Sequence, residues 1–255
     1  MSSNREPIPK HVWKALYRYV AEVNSDIGFM NYGVAGGAAL DLDADDEAER
    51  YGMQLYDCVT GDVSLDGANL VEVGSGRGGG ARFLMRYRNG AGYAGIDFSP
   101  SNVVLSRRRF LGLPSIRFAV GDAEQLPLRA ASADAVINVE SSHCYADRSR
   151  FFDEARRILR PGGRFLFADF FAHDVRPEPL FETAGFRVER CDEITSGVVS
   201  ALNADSERRR TIAAAAGPRR QALLASWAGV EGLPIYESFR SGAIRYWALG
   251  ARIVG

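Results

Sequence analysis

From residue 69 onward the chain alternates short apolar runs with amphipathic stretches. NLVEVG (69–74), GYAGID (92–97), SIRFAVG (115–121), DAVINVE (134–140) and GRFLFADF (163–170) have the length of buried strands, and FRVERCDEI (186–194) and FRSGAIRYWALGARI (239–253) carry two more. Helical patterns lie between them. SPSNVVLSRRRFL opens with Ser99 and Pro100 as cap and first turn, RSRFFDEARRILR is stopped by Pro-Gly-Gly at 161–163, and a short helix ends at Gly185. Such alternation predicts βαβ units and a mostly parallel sheet. Ahead of it, HVWKALYRYVAEV places Val12, Leu16, Val20 and Val23 near helical spacing and predicts an amphipathic helix. Next come the turn-rich FMNYGVAGG and an acidic stretch, DLDADDEAER, which reads as a helix start in solvent. Residues at about 197–228 read as a helical region inserted between the last two strands.

Composition narrows this picture. With 255 residues, 46% of them hydrophobic, the chain can bury one full α/β core with an added cap. We divide it into an N-terminal helical cap, 1–50, and a main domain, 51–255, with a lid insert at about 196–238. Lys and Arg total 31 against 32 Asp and Glu, so no positive field is available to hold a nucleic-acid backbone. No segment approaches the roughly 20 apolar residues of a membrane span, and the first thirty residues contain no apolar stretch of signal-peptide length. The expected location is cytoplasmic. Cys58, Cys144 and Cys191 are odd in number and widely spaced, which predicts free thiols. The arginine runs at 107–109 and 208–210 read as solvated helix faces.

The first strand ends in VEVGSGRGGG, where Gly74, Gly76 and Gly79 satisfy GxGxxG, and Asp97 closes the second strand. A nicotinamide enzyme and an S-adenosylmethionine enzyme both use such a turn, with an acid for the ribose hydroxyls. Glu72 separates them: a carboxylate near the loop repels a pyrophosphate, by roughly 1 to 4 kcal/mol for unit charges 4 Å apart, and attracts an ammonium.

VEVGSGRGG, GIDFS, GDAEQLP and RILRPGGRF resemble, in order and spacing, the motifs of class I S-adenosylmethionine-dependent methyltransferases, over about residues 50–195. The resemblance implies a Rossmann-like seven-stranded α/β sheet with the last strand antiparallel, and a helical lid from the N-terminus and the region between the last two strands. It implies S-adenosyl-L-methionine as cofactor and S-adenosyl-L-homocysteine as product. Gly74, Ser75 and Gly76 would form the turn under the methionine part, beside Glu72. Asp97 would bind the ribose diol, Phe98 would flank the adenine, Asp122 and Ala123 would address its edge, and Asn138 would line the methionine side. Tyr32 is a further expected cofactor contact.

His143, one of only three histidines, follows the fourth strand in NVESSHCYAD, and Asp169 closes the neighbouring fifth strand. A carboxylate beside an imidazole fixes its tautomer and makes it a better proton acceptor. ESSHC followed by ADF resembles the small-molecule O-methyltransferases that tailor sugars and polyketides. NVESSHCY, with FMNYG and FRSGAIRYW, is closer to the phthiotriol and fatty-acid O-methyltransferase group. The resemblance implies methyl transfer to a hydroxyl of a small, largely apolar natural product, with His143 as general base oriented by Asp169. His173 is a second candidate base, and His11 has no chemical neighbour in sequence. The fifth strand ends in Asp169-Phe170 where metal-dependent relatives carry Asp-Asn, so metal-free chemistry is expected. The alternatives are C- or N-methylation, or cyclisation without methyl transfer, on the same fold. Oligomeric state, monomer or homodimer, stays open.

Overall fold

The computed structural model describes residues 18–20, 27–61, 63–215 and 217–254. Seven strands form one sheet: β1 Asn69–Val73, β2 Gly92–Asp97, β3 Ile116–Val120, β4 Ala133–Val139, β5 Leu159–Ala172, β6 Phe186–Glu193 and β7 Ile244–Ile253, in the order β3-β2-β1-β4-β5-β7-β6. β1 to β5 are parallel, and β7 runs antiparallel to both β5 and β6. This is the sheet that the resemblance implied. The strand order reverses between β1 and β4, and at such a switch point the loops leaving the two strands diverge and open a crevice.

Both faces of the sheet are covered, which is why the strands read as apolar runs rather than as alternating ones. On one face Val71, Val136, Phe165 and Phe167 pack against Phe151, Phe152 and Ile158 of the helix Arg148–Ile158 and against Phe181. On the other, Leu70, Tyr93, Ile137 and Leu166 meet Met53, Leu55, Tyr56 and Val59 of the helix Arg50–Thr60. Capping follows the expected chemistry. Ser99 Oγ accepts the Asn102 N–H ahead of the helix Pro100–Arg109, and Asp147 accepts the Arg150 N–H ahead of Arg148–Ile158.

Four helices lie between β6 and β7: Thr195–Ala204, Ser206–Ala214, Pro218–Trp227 and Pro234–Arg240. The helix expected over 12–23 falls mostly outside the described residues, as does His11; residues 18–20 are helical. Two surface expectations need correction. The acidic stretch forms a 3-10 turn, Ala44–Glu49, but its Asp46 is buried, paired with Arg82 and bonded by the Tyr87 hydroxyl at 2.6 Å. In the run at 208–210, Arg209 is buried, because a helix laid across another segment turns one side of its arginines inward. Arg107 and Arg109 likewise serve backbone carbonyls, of Phe118 and Arg77, both at 2.9 Å.

Candidate active site

The glycine loop after β1 is shaped by its backbone. Gly74 and Gly76 have φ of +76° and +53°, and the N–H groups of Gly74 and Ser75 both donate to the Ile96 carbonyl, at 2.8 and 3.1 Å. A Cβ on Gly74 would stand 2.2 Å from Ser141 Oγ, so both the dihedral and the close approach require glycine there. Asp97 ties the loop to β2: its carboxylate accepts the Gly76 N–H at 2.8 Å, the Ser99 N–H at 2.9 Å and the Asn102 amide at 3.2 Å. Burial pushes the Asp97 pKa up to about 6, with these three donors pulling it back, so the group is mostly ionised at neutral pH.

The loop opens on a cavity of about 1290 Å3. Of the predicted cofactor contacts, Gly74, Ser75, Gly76, Asp97, Phe98, Asp122, Ala123 and Tyr32 all line it. A glycine cradle facing an ionised carboxylate, in a space this large, fits an adenosyl group together with an acceptor.

Two predicted contacts do not line it. Glu72 is fully buried, and its carboxyl oxygens accept the hydroxyls of Tyr56 and Tyr93. Its side chain lies on the opposite face of β1 from Val71 and Val73, packed under Gly80, where a Cβ would stand 2.1 Å from Glu72 Oε2. Burial raises its pKa to about 7 against the pull of the two tyrosines. Asn138 is also fully buried, and its amide donates to the Val73 carbonyl and Ser141 Oγ, both at 2.8 Å, and to the Tyr145 hydroxyl at 2.9 Å. It joins the ends of β1 and β4 instead of facing the cavity. Strand alternation accounts for both: residues that read as loop-proximal in sequence point into the layers.

His143 sits in the 3-10 turn Ser142–Cys144 beyond β4 and lines the cavity, with 20% of its side chain exposed. Its Nδ1 is 2.9 Å from Asp169 Oδ1. Asp169 does not close β5, which pairs with β7 on to Ala172; fully buried within the strand, it also accepts the Ser142 hydroxyl at 2.6 Å and the N–H groups of His143 and Phe170, each at 2.9 Å. Phe170 lies over the imidazole with ring centroids 4.5 Å apart. Burial by itself would lower the His143 pKa. The Asp169 charge and hydrogen bond, with Cys144, outweigh it and hold the pKa well above the ordinary value, while Asp169, buried but paired with His143, is held below its own. The pair can orient a proton acceptor or present a cation. His173 is exposed, its N–H bonded to the Ala243 carbonyl at 3.1 Å, and it does not line the cavity.

Sequence reasoning passed over Glu140. It lines the cavity with φ of +50°, and its Oε2 accepts the Tyr32 N–H at 2.9 Å and the Tyr246 hydroxyl at 2.8 Å. A charged residue just past an apolar run reads as a solvent contact. The available signal was its place three residues before His143 in the same loop. Arg209 was missed as a clasp: it donates to the carbonyls of Ala228 at 2.7 Å and Tyr32 at 2.9 Å, and pairs with Asp205 at 3.1 Å.

The cavity at the strand-order switch point thus brings together a glycine loop, the buried Asp97 carboxylate and the His143–Asp169 pair. Residues 71–167 match the family described as methyltransferase domain. The chain is 34% identical over 217 residues to a phthiotriol/phenolphthiotriol dimycocerosates methyltransferase of Mycobacterium leprae, covering 83% of this chain and 80% of that one. It is 37% identical to a fatty-acid O-methyltransferase of Mycolicibacterium smegmatis, covering 64% and 60%. Among solved structures, the [4+2]-cyclase SpnF superposes with a TM-score of 0.76 at 20% identity, over 98% of this chain and 99% of that one. The chain belongs to the S-adenosyl-L-methionine-dependent methyltransferases. No helix among the described residues is long and apolar enough to cross a membrane.

Proposed function

We propose that this enzyme methylates a hydroxyl oxygen of a small, largely apolar, lipid-like natural product, with His143 as the general base and Asp169 as its orienting partner. The observation that carries this reading is the His143–Asp169 pair at the cavity wall beside the glycine loop. S-adenosyl-L-methionine, when bound, supplies an electrophilic methyl group. The protein then has to hold the acceptor oxygen in line with it at about 3 to 3.5 Å and take up the proton as the C–O bond forms and the C–S bond breaks. With Nδ1 held by Asp169, the proton passes through the Nε2 edge of the ring. Gly74, Ser75 and Gly76 would support the methionine part, Asp97 the ribose diol, and Phe98, Asp122 and Ala123 the adenine. Met30, Phe170, Leu223, Trp227 and Ile235 supply an apolar lining for the acceptor. The relatives named for phthiotriol and fatty-acid methylation support a lipid-type acceptor.

The raised pKa favours the imidazolium form of His143. Transfer to a hydroxyl should therefore speed up as pH rises through that pKa, and Asp169→Asn should move the rise to lower pH while lowering the plateau. The cationic form also favours a second reading, in which the acceptor is a carboxylate, already deprotonated and held by the imidazolium. The test is a screen of long-chain alcohols, phenols and fatty acids with labelled S-adenosylmethionine, in EDTA, across pH. Methyl ethers formed with an alkaline rise support the hydroxyl. Methyl esters whose formation falls as pH rises support the carboxylate, activity lost in EDTA and restored by magnesium would overturn metal-free transfer, and a product of unchanged mass would overturn methyl transfer itself.

A further inference from the structure

At the end of β4 the backbone of Glu140 enters the left-handed region, which long side chains rarely adopt. The turn brings its carboxyl to the cavity wall beside His143. Two donors from distant parts of the chain fix it there: the Tyr32 N–H, ahead of the sheet, and the Tyr246 hydroxyl, on β7, both bonding Oε2. Oε1 accepts no hydrogen bond among the described residues. Asp169 already holds the imidazole, so methyl transfer as described leaves Glu140 unused. A carboxyl at the wall of a largely apolar cavity, oriented through one oxygen and with the other accepting no hydrogen bond among the described residues, is matched by a polar group on the ligand.

We infer that Glu140 positions the acceptor: Oε1 shares a hydrogen bond with a second hydroxyl of the acceptor, so the enzyme selects diols and higher polyols over matched mono-alcohols. The inference rests on the hydroxyl reading above. Burial pushes the Glu140 pKa up to about 8, against the Tyr32 N–H, the His143 charge and the Tyr246 hydroxyl, so the carboxyl is present in both forms near neutral pH. A hydroxyl both donates and accepts and so pairs with either form, whereas a carboxylate ligand pairs only with the protonated one.

The experiment compares methyl transfer to long-chain 1,2- and 1,3-diols with transfer to the corresponding mono-alcohols, in the native enzyme, Glu140→Gly and Glu140→Gln. Glycine accepts the left-handed backbone, so that variant removes the carboxyl without adding strain. Glutamine keeps a hydrogen-bonding group at the same reach. The native enzyme should favour the diol in kcat/KM by about 5- to 50-fold, the usual worth of one such bond. Glu140→Gly should bring the ratio near one, and Glu140→Gln should restore part of it, with S-adenosylhomocysteine affinity unchanged throughout. A carboxyl that only supports the fold would lower both acceptors alike and leave the ratio intact. A native ratio near one, or an unchanged ratio in Glu140→Gly, would overturn the inference alone. Failure to methylate any alcohol while S-adenosylhomocysteine still binds would overturn the hydroxyl reading and this inference with it.

Discussion

The two walls of the cavity are built over different distances along the chain. On the wall made by β1 and β2, Asp97 reaches Gly76 across 21 positions, and Ser106 reaches the Gly76 carbonyl across 30. On the wall made by the turn after β4, the Tyr32 segment and the inserted helices, Glu140 bonds Tyr32 across 108 positions and, behind the wall, Tyr246 across 106, and the Tyr32 hydroxyl bonds the Trp227 carbonyl across 195. The first wall presents mainly backbone and one carboxylate, a surface suited to one invariant ligand. The second presents side chains gathered from remote segments, a surface that can change with the acceptor while the first is kept. On the function proposed above, the first wall would bind the methyl donor and the second would choose the acceptor, and the two could be altered separately.

Substitutions on the two walls can break that separation. The largest effect is expected from His143→Ala, which should lower kcat by about 10² to 10⁴ and leave S-adenosylhomocysteine affinity within about threefold. Titration calorimetry alongside steady-state rates would show it, and a matching loss of affinity would join the two walls into one. Next is Arg209→Ala. The change removes one of the two arginines on Asp205, Arg208 remaining with bonds of 2.6 and 2.7 Å, and leaves the carbonyls of Tyr32 and Ala228 without a donor, so thermal or urea unfolding should register a loss of about 2 to 4 kcal/mol. The acceptor KM should rise as well, since Arg209 ties the inserted helices to the Tyr32 segment at the cavity wall.

On the other wall, Asp97→Ala should weaken S-adenosylhomocysteine by about 1.5 to 3 kcal/mol, the worth of a charge-assisted hydrogen bond, with the ratio between acceptors unaltered. Unchanged affinity in calorimetry would remove Asp97 from the cofactor site. The last effect is on stability alone and concerns Glu72. Its folded pKa, about 7, lies above the ordinary carboxyl value near 4.5, so the folded state holds the proton more tightly than the unfolded chain. The resulting stability is full below pH 4.5 and is lost as pH rises to about 7 and beyond. Glu72→Gln, which cannot ionise, should flatten the fall of Tm over that window by up to about 10 °C. A slope equal to that of the native protein would show that Glu72 does not titrate there.

The sheet was legible because each strand is an apolar run bounded by its own turn residues, and the glycine loop because a positive φ and a 2.2 Å approach at Gly74 leave only one residue type possible. His143 and Asp169 could be paired from sequence because neighbouring parallel strands lie side by side, and the two residues meet at 2.9 Å. Glu72 and Asn138 were misplaced because position near a loop does not reveal which side of the sheet a side chain takes once Tyr56, Tyr93 and Tyr145 pack against it. Glu140 was invisible as a site residue: its role depends on a left-handed turn and on donors from Tyr32 and Tyr246, neither of which has a local signature.

By itself the sequence determined the strand and helix pattern, the donor loop and the residues of the His-Asp pair, because these depend on local periodicity, backbone sterics and strand adjacency. Only the tertiary structure decided which carboxyls face the cavity, which are buried behind it and which arginine closes the inserted helices over it. Those outcomes depend on desolvation and on partners more than a hundred residues away, and such forces arise only when the layers have come together.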